Sequence, residues 1–129
     1  MDTKIPAIER VLKALGDATR LRIVGLLLTG EVCVCHIHES LRLPQPKTSR
    51  HLAYLRRAGL VETRRDGVWI HYRLATLSDP VLQTIREAVV HALGHVDVIR
   101  RDADRLHQKT GCWVPAAGQF SLACCDSAR

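Results

Sequence analysis

Apolar residues recur every three or four positions along most of the chain, the spacing that places them on one face of an α-helix. The pattern predicts helices over residues 5–15, 17–30, 34–41 and 46–58, with a proline-containing turn before the last of them. A longer apolar stripe follows Ser78-Asp79-Pro80, which can cap a helix, and predicts one continuous helix from residue 80 to about residue 107. The chain is therefore expected to be mainly α-helical.

Between residues 60 and 74 the apolar period changes from that of a helix to that of a strand. Two alternating segments, 60–65 and 68–74, flank Asp66-Gly67, a strong signal for a two-residue hairpin turn. In the second segment one set of side chains is predicted to face inward (Val68, Ile70, Tyr72, Leu74) and the other outward (Trp69, His71, Arg73). The order helix, turn, helix, hairpin predicts a winged helix-turn-helix, an α+β fold that is mainly α with a β-hairpin wing.

The basic charge is concentrated in this same part of the chain. The 129 residues carry a formal net charge of +6, and residues 41–73 contain eight basic and two acidic side chains, so this quarter of the chain carries the whole excess. One domain is predicted over residues 1–108, followed by a loosely ordered, cysteine-containing tail over residues 109–129.

The helix over residues 46–58 has two unlike faces. Thr48, Leu52 and Leu55 fall on a side suited to the core, whereas cationic and polar side chains gather on the opposite side. Such a face suits phosphates and base edges, and the helix start favours phosphate through its dipole. The residues predicted to contact operator DNA are Gln45, Lys47, Thr48, Ser49, Arg50, His51 and Tyr54 on the helix, with Arg64 and Arg65 at the hairpin tip.

A single DNA-reading unit covers only one half-site. The apolar stripes of the N-terminal helix and of the long C-terminal helix exceed what so small a core can absorb. Pairing these helices across a two-fold axis would bury them and match a palindromic operator, so a homodimer is predicted.

Other function classes are disfavoured by what the sequence lacks. The longest apolar run, residues 23–28, is far short of the roughly 20 residues that span a membrane, and no secretory signal pattern is visible. A cytoplasmic protein with reduced thiols and no membrane partner is expected. No Cys-x5-Arg run, paired carboxylates or glycine-rich phosphate loop is found, so neither enzymatic activity nor an organic cofactor is expected.

The five cysteines do not form a disulfide framework. Cys33 and Cys35 stand at the start of a predicted helix, and Cys112, Cys124 and Cys125 lie in the tail. On an ideal helix, side chains at i and i+2 do not align, but at a frayed first turn two thiols can converge on one ion. Thiolates select soft or borderline metals, whereas a buried pair of small hydrophobes is the alternative.

Several segments together resemble the ArsR/SmtB metalloregulators, over about residues 8–106. They are residues 14–23 (ALGDATRLRI), 31–35 (EVCVC), 43–52 (LPQPKTSRHL) and 55–61 (LRRAGLV). The resemblance implies a homodimeric winged-helix repressor that leaves its operator when an inducing ion binds. Residues 31–35 are closest to the arsenic- and antimony-sensing branch, whose pattern is Glu-Leu-Cys-Val-Cys-Asp-Leu-Cys. It therefore implies As(III) or Sb(III) as inducer, bound at Cys33 and Cys35.

The chain departs from that branch at the third ligand. His38 stands where the pattern has its last cysteine, and His36 replaces the acid. Either a tail cysteine completes the site, with Cys112, Cys124 and Cys125 as candidates, or two thiols hold a monomethylated arsenical.

Three alternatives keep the same fold but change the signal. Zinc is one, at His91 and His95 with Asp97 and Asp102 nearby, although the spacing of the zinc-sensing branch is not matched. Cadmium or lead is another, although those sensors add N-terminal cysteines that this chain lacks. The third is a thiol-redox repressor that responds to peroxide or persulfide.

Overall fold

The computed structural model describes residues 4–110, which form six α-helices and a small antiparallel sheet. The helices are α1 (Lys4–Leu15), α2 (Ala18–Leu26), α3 (Val34–Leu41), α4 (Gln45–Arg57), α5 (Pro80–Leu93) and α6 (Asp97–Thr110), and a 3-10 turn (Leu27–Thr29) follows α2. The strands are β1 (Val32–Cys33), β2 (Val61–Asp66) and β3 (Trp69–Leu74), in the order β1-β3-β2. The predicted order of helix, turn, helix and hairpin is confirmed.

The turn between α3 and α4 is closed by the backbone. Arg42 takes a left-handed conformation, with φ at 58°, and the Leu43 amide donates to the His38 carbonyl at 3.0 Å. This is the six-to-one bond that ends a helix in a Schellman motif. Pro46 lies in the first turn of α4, where its missing N–H is not needed. The turn therefore sets α4 across α3 with little freedom.

The core lies where α2, α3, α4 and α6 meet. Its fully buried side chains are mostly leucine and isoleucine: Ile23, Leu26, Ile37, Leu41, Leu52, Leu55, Leu60 and Leu106. Among residues 4–110, no helix has the length and apolar character that crossing a membrane would need.

The prediction of one long C-terminal helix is wrong. α5 ends at Leu93 and α6 begins at Asp97, with Gly94 as the C-cap between them. Glycine is a poor helix former and Asp97 favours a helix start, so the break has a local cause that the continuous apolar spacing concealed. The break turns α6 back onto α2 and α3, whereas α5 packs against α1 and α2. α6 then continues to Thr110, beyond the predicted end.

Two details of the predicted hairpin are also wrong. Asp66 pairs with Trp69, so the two loop residues are Gly67 and Val68 instead of Asp66-Gly67. Gly67 has φ of 61°, and no other residue of this loop has a positive φ, which fits a turn with glycine at its first central position. Val68 is consequently 87% exposed at the tip, although alternation placed it inward.

Strand β1 has only two residues, too few to show a period, and the sequence did not predict it. It pairs with the free edge of β3, where Val32 lies opposite Tyr72 and Cys33 opposite His71. His71 is therefore 3% exposed, and the prediction that it faces outward is wrong. A sheet with a third strand buries a position that a two-stranded wing would leave in water.

Candidate DNA-binding face and thiol site

The outer face of α4 carries exposed cationic and polar side chains. Lys47 and Arg50 are exposed, as is Gln45 at the first position, and Ser49 is half-buried. The first amides of a helix have no partners within the helix, and Pro44 at the N-cap makes no side-chain bond to them. This end of α4 therefore combines positive side chains with amides suited to phosphate.

Thr48 does not belong to this face. Its side chain is fully buried, and its hydroxyl donates to the Pro44 carbonyl at 3.1 Å. The sequence placed Thr48 both on the core side and among the DNA contacts, and its burial leaves only the first placement. Thr48 holds the first turn of α4 against the interior.

His51 and Tyr54 both contact Arg20, a residue that the sequence did not indicate as part of the site. The Arg20 guanidinium lies 4.1 Å from the centre of the Tyr54 ring, and its Nη1 is 3.2 Å from His51 Nδ1. Arg20 Nε also donates to the Ala14 carbonyl at 2.7 Å. Arg20 thus ties the end of α1 and the start of α2 to the middle of α4. The only sequence signal for it was its place three residues after a predicted N-cap, Asp17.

Asp17 completes this support at the start of α2. Its carboxylate accepts from the Arg20 amide at 3.1 Å and lies 3.8 Å from His51 Nδ1. Burial alone would raise the pKa of Asp17, but the Arg20 amide and the charges of Arg20 and His51 outweigh it and lower that pKa below its ordinary value. The N-cap is therefore ionised at neutral pH, as the helix dipole favours.

The two arginines assigned to the hairpin tip lie in different surroundings. Arg65 is exposed and pairs with Ile70, close to the turn. Arg64 pairs with His71 one position further back, and it forms an ion pair with Glu31, with Nε at 2.9 Å and Nη2 at 2.8 Å from Oε1. Only Arg65 projects as the sequence predicted.

The thiols of Cys33 and Cys35 lie together, with their Sγ atoms 3.1 Å apart. Both are free thiols, since a disulfide would bring the sulfurs to about 2.05 Å. Cys33 is extended, with φ −69° and ψ 144°, and is the N-cap of α3, whereas Cys35 lies in its first turn. Because Cys33 is outside the helix, the angular separation of i and i+2 on a helix does not apply. Cys33 is fully buried and Cys35 is half-buried.

The histidines considered as ligands do not join the thiols. His38 Nδ1 lies 3.2 Å from the Leu43 carbonyl, in the turn before α4. His91 and His95 face each other edge-on at 5.4 Å between ring centres. Asp102 is buried in ion pairs with Arg22 and Arg105. Across residues 4–110, no three His, Cys, Asp or Glu side chains are grouped closely enough to hold a metal ion.

Two histidines beside the thiols, neither of which was predicted to be buried, lie in the interior. His36 Nδ1 and His71 Nε2 are buried without a hydrogen-bond partner. Burial lowers the pKa of His36 below its ordinary value, and the positive charge of Lys109 lowers it further. α6 packs against α3 here, and Arg105 Nε donates to the Ser40 carbonyl at 2.6 Å. Burial at these positions depends on β1 and α6, which local patterns do not reveal.

The three tail cysteines lie outside the described residues. Cys112 follows Thr110 by two positions, a span of at most about 7 Å of extended chain. Cys124 and Cys125 follow Thr110 by 14 and 15 positions.

This architecture, a helix-turn-helix whose second helix bears a basic face and is followed by a β-hairpin, is that of a winged helix-turn-helix DNA-binding domain. Residues 17–63 match the model of the family described as "Bacterial regulatory protein, arsR family", and the chain belongs to that family.

Two relatives and one solved structure show the extent of the similarity. The chain is 52% identical over 65 residues to the arsenic resistance transcriptional regulator ArsR1 of Pseudomonas putida, covering 50% of this chain and 51% of that one. It is 40% identical over 91 residues to the HTH-type transcriptional regulator KmtR of Mycobacterium tuberculosis, covering 70% and 68%. The chain thus spans about half the length of the first of these relatives.

The structural similarity includes a homodimeric winged helix-turn-helix DNA-binding domain, Mb0332 of Mycobacterium bovis. Its TM-score is 0.60 at 33% identity, covering 74% of this chain and 90% of that one. The family and these relatives are DNA-binding transcriptional regulators and not enzymes.

Proposed function

We propose that this protein is a cytoplasmic, homodimeric repressor that binds operator DNA and is released by trivalent arsenic or antimony. The observation that carries the proposal is the pair of free thiols 3.1 Å apart at the start of α3, the helix that supports α4. Two thiolates at that separation suit one thiophilic ion, and the position connects the ion to the DNA-reading element.

The DNA-binding part rests on the exposed face of α4. The proposed contacts of α4 with the major groove or its phosphates are made by Gln45, Lys47, Ser49 and Arg50. Arg20 orients His51 and Tyr54. Arg65 reaches the flanking DNA from the wing. Arg64, which is paired with Glu31, is a weaker candidate for DNA contact, and we leave the buried Thr48 out of the proposed contacts. The printed name of the arsenic-resistance relative supports the metalloid signal.

The homodimer is supported by apolar side chains that the described residues leave uncovered. Ile5 is 60% exposed and Leu12 is 52% exposed on α1, and Val81 is 38% exposed on the adjoining α5. The solved relative from Mycobacterium bovis is homodimeric. α1 and α5 therefore form the proposed interface, and α6, whose apolar face is already buried, belongs to the core of one subunit.

Arsenite binding at this site conserves atoms and needs no oxidant. Each cysteine thiol transfers its proton to a hydroxide ligand of arsenous acid, which leaves as water while an arsenic–sulfur bond forms. Cys33 and Cys35 supply two sulfurs. A tail cysteine supplies the third, and Cys112 is our first choice because it follows the end of α6 by only two positions.

The test measures operator affinity by fluorescence anisotropy, with thiols reduced, across micromolar arsenite. A fall in operator affinity supports the proposal. If the free energy that couples arsenite binding to operator binding is about 1–3 kcal/mol, the affinity should fall roughly 5–150-fold. Unchanged operator affinity would contradict arsenite as the inducer but would not contradict the proposal that the protein is a DNA-binding repressor. A fall with peroxide but not with arsenite would favour the redox candidate, for which the same thiol separation is the relevant observation.

Replacing Arg50 with alanine tests the DNA face. If Arg50 contacts phosphate, we expect the affinity to fall equally for all operator sequences. The slope of log affinity against log salt concentration should also become shallower, by the amount expected for about one phosphate contact per subunit. Arg101→Ala, which removes an exposed arginine from α6, is the matched control. Equal effects of both substitutions would show that only overall charge matters.

A further inference from the structure

The segment that carries the thiols is also part of the wing. Cys33 belongs to β1, which pairs with β3 of the hairpin, so it lies directly opposite His71. On the other side of β3, His71 lies opposite Arg64. Cys33, His71 and Arg64 therefore form one row across the sheet, with their side chains on the same face. A displacement of Cys33 acts on the wing without passing through α3 or α4.

An ion pair joins Arg64, at one end of this row, to Glu31, which precedes Cys33 at the other end. Glu31, two residues before Cys33, is 8% exposed, and its Oε1 accepts from both Nε and Nη2 of Arg64. Arg64 is 40% exposed at its side chain, so the pair joins a buried carboxylate to a partly solvated cation. Separating the two would leave the Glu31 carboxylate buried without that partner, which is costly. The position of Glu31 and that of the wing are thus tied together.

The Cys33 thiol is covered while β1 lies on β3. Cys33 has no exposed surface, and it is covered where β1 meets β3. Cys35 is half-buried and offers the accessible first sulfur. The two sulfurs are already 3.1 Å apart, so an ion needs access to the Cys33 sulfur. Opening β1 from β3 gives that access, and it moves Glu31 relative to Arg64.

We propose that Glu31 is a positioning residue that couples the thiol site to the wing: ion binding at Cys33 and Cys35 pulls β1 off β3 and breaks the Glu31–Arg64 ion pair. This proposal rests on the proposed function, because it explains how an ion at that site lowers DNA affinity. In the ion-free protein the third strand and the ion pair hold the wing in the orientation that binds DNA. In the ion-bound protein both constraints are lost.

The test compares Glu31→Gln with Glu62→Gln. Glu62 forms an ion pair with Arg73 in the same sheet, with Oε1 3.0 Å from the Arg73 Nε, but that pair is exposed and joins β2 to β3 without a residue of β1. For each variant, operator affinity is measured with and without arsenite, and arsenite affinity is measured separately by competition with a dithiol. Unfolding temperatures check that both variants are folded.

We expect Glu31→Gln to reduce the ratio of operator affinities without and with arsenite at least threefold, and Glu62→Gln to leave it unchanged. Linkage is reciprocal. Because ion binding to Glu31→Gln no longer has to break the Glu31–Arg64 ion pair, the ion should bind this variant more tightly than the parent. A variant that only loosened the fold would lose operator affinity in both states alike and would leave the ratio intact.

Hydrogen exchange on the parent protein gives a measurement that needs no substitution. Arsenite should accelerate amide exchange in β1 and β3 while leaving the α2 core protected. Suppose that the parent responds to arsenite. The coupling would then be overturned if amide exchange in β1 and β3 did not change, or if Glu31→Gln had the same ratio of operator affinities without and with arsenite as the parent. Failure of the parent to respond would instead overturn the inducer.

Discussion

Replacing Cys35 with serine is expected to abolish the response to arsenite while leaving operator binding intact. The serine hydroxyl has nearly the shape of the thiol but is a hard donor, so a thiophilic ion loses one of its sulfurs. Cys35 is half-buried, so the substitution does not place an unpaired hydroxyl in the core. The ratio of operator affinities without and with arsenite, about 5–150-fold in the parent, should fall close to one.

The measurement is a pair of anisotropy titrations for each protein, with operator affinity in the absence of arsenite as the control for folding. Cys112→Ser distinguishes the third ligand, since it should weaken arsenite binding only if that sulfur is in the site. A Cys35→Ser protein that still leaves its operator at the parent's arsenite concentration would contradict the assignment of the thiol pair.

Replacing Asp102 with alanine is expected to lower the free energy of unfolding by about 3 kcal/mol, the lower end of the range for breaking a buried ion pair. Asp102 is fully buried and accepts from the Nε and Nη2 of Arg22, each at 2.9 Å, and from Arg105. Its hydrogen bond with Arg22 raises the pKa of that guanidinium above its ordinary value. Both arginines are about one-fifth exposed, and we choose the lower end because water replaces part of the lost interaction.

The two arginines are more than counter-charges, which makes the loss structural. Arg22 Nη2 donates to the Leu41 carbonyl at 2.9 Å, and Arg105 Nε donates to the Ser40 carbonyl at 2.6 Å. Asp102 thus holds two cations over the C-terminal end of α3, where the helix dipole also favours positive charge. Without Asp102, Arg22 of α2 and Arg105 of α6 are no longer held in place to donate to the carbonyls at the end of α3.

Thermal unfolding measures the effect, since about 3 kcal/mol corresponds to a fall of roughly 10–20 °C for a domain near 100 residues. Asp104→Ala is the control, because Asp104 is an exposed acid on the same helix. Similar unfolding temperatures for the two variants would show that Asp102 contributes no more than a surface carboxylate.

Much of this molecule was predictable because its signals are local. The first four helices follow from apolar spacing, from the cap at Asp17 and from the prolines at the start of α4. The basic face of α4 follows from the helical period, and the thiols from their position before α3. The break at Gly94 was missed because the apolar spacing continues through it, so the period alone did not separate α5 from α6.

The chain by itself determined a winged helix-turn-helix with a basic reading helix and two neighbouring cysteines, because periodicity, caps and charge act over a few residues. Only the tertiary structure decided what those residues touch. It paired Arg64 with Glu31 across 33 residues and joined Arg22 to Asp102 across 80. It also made Cys33 part of the wing through a two-residue strand. Contacts at such separations depend on how the elements pack, and a local pattern carries no information about that packing.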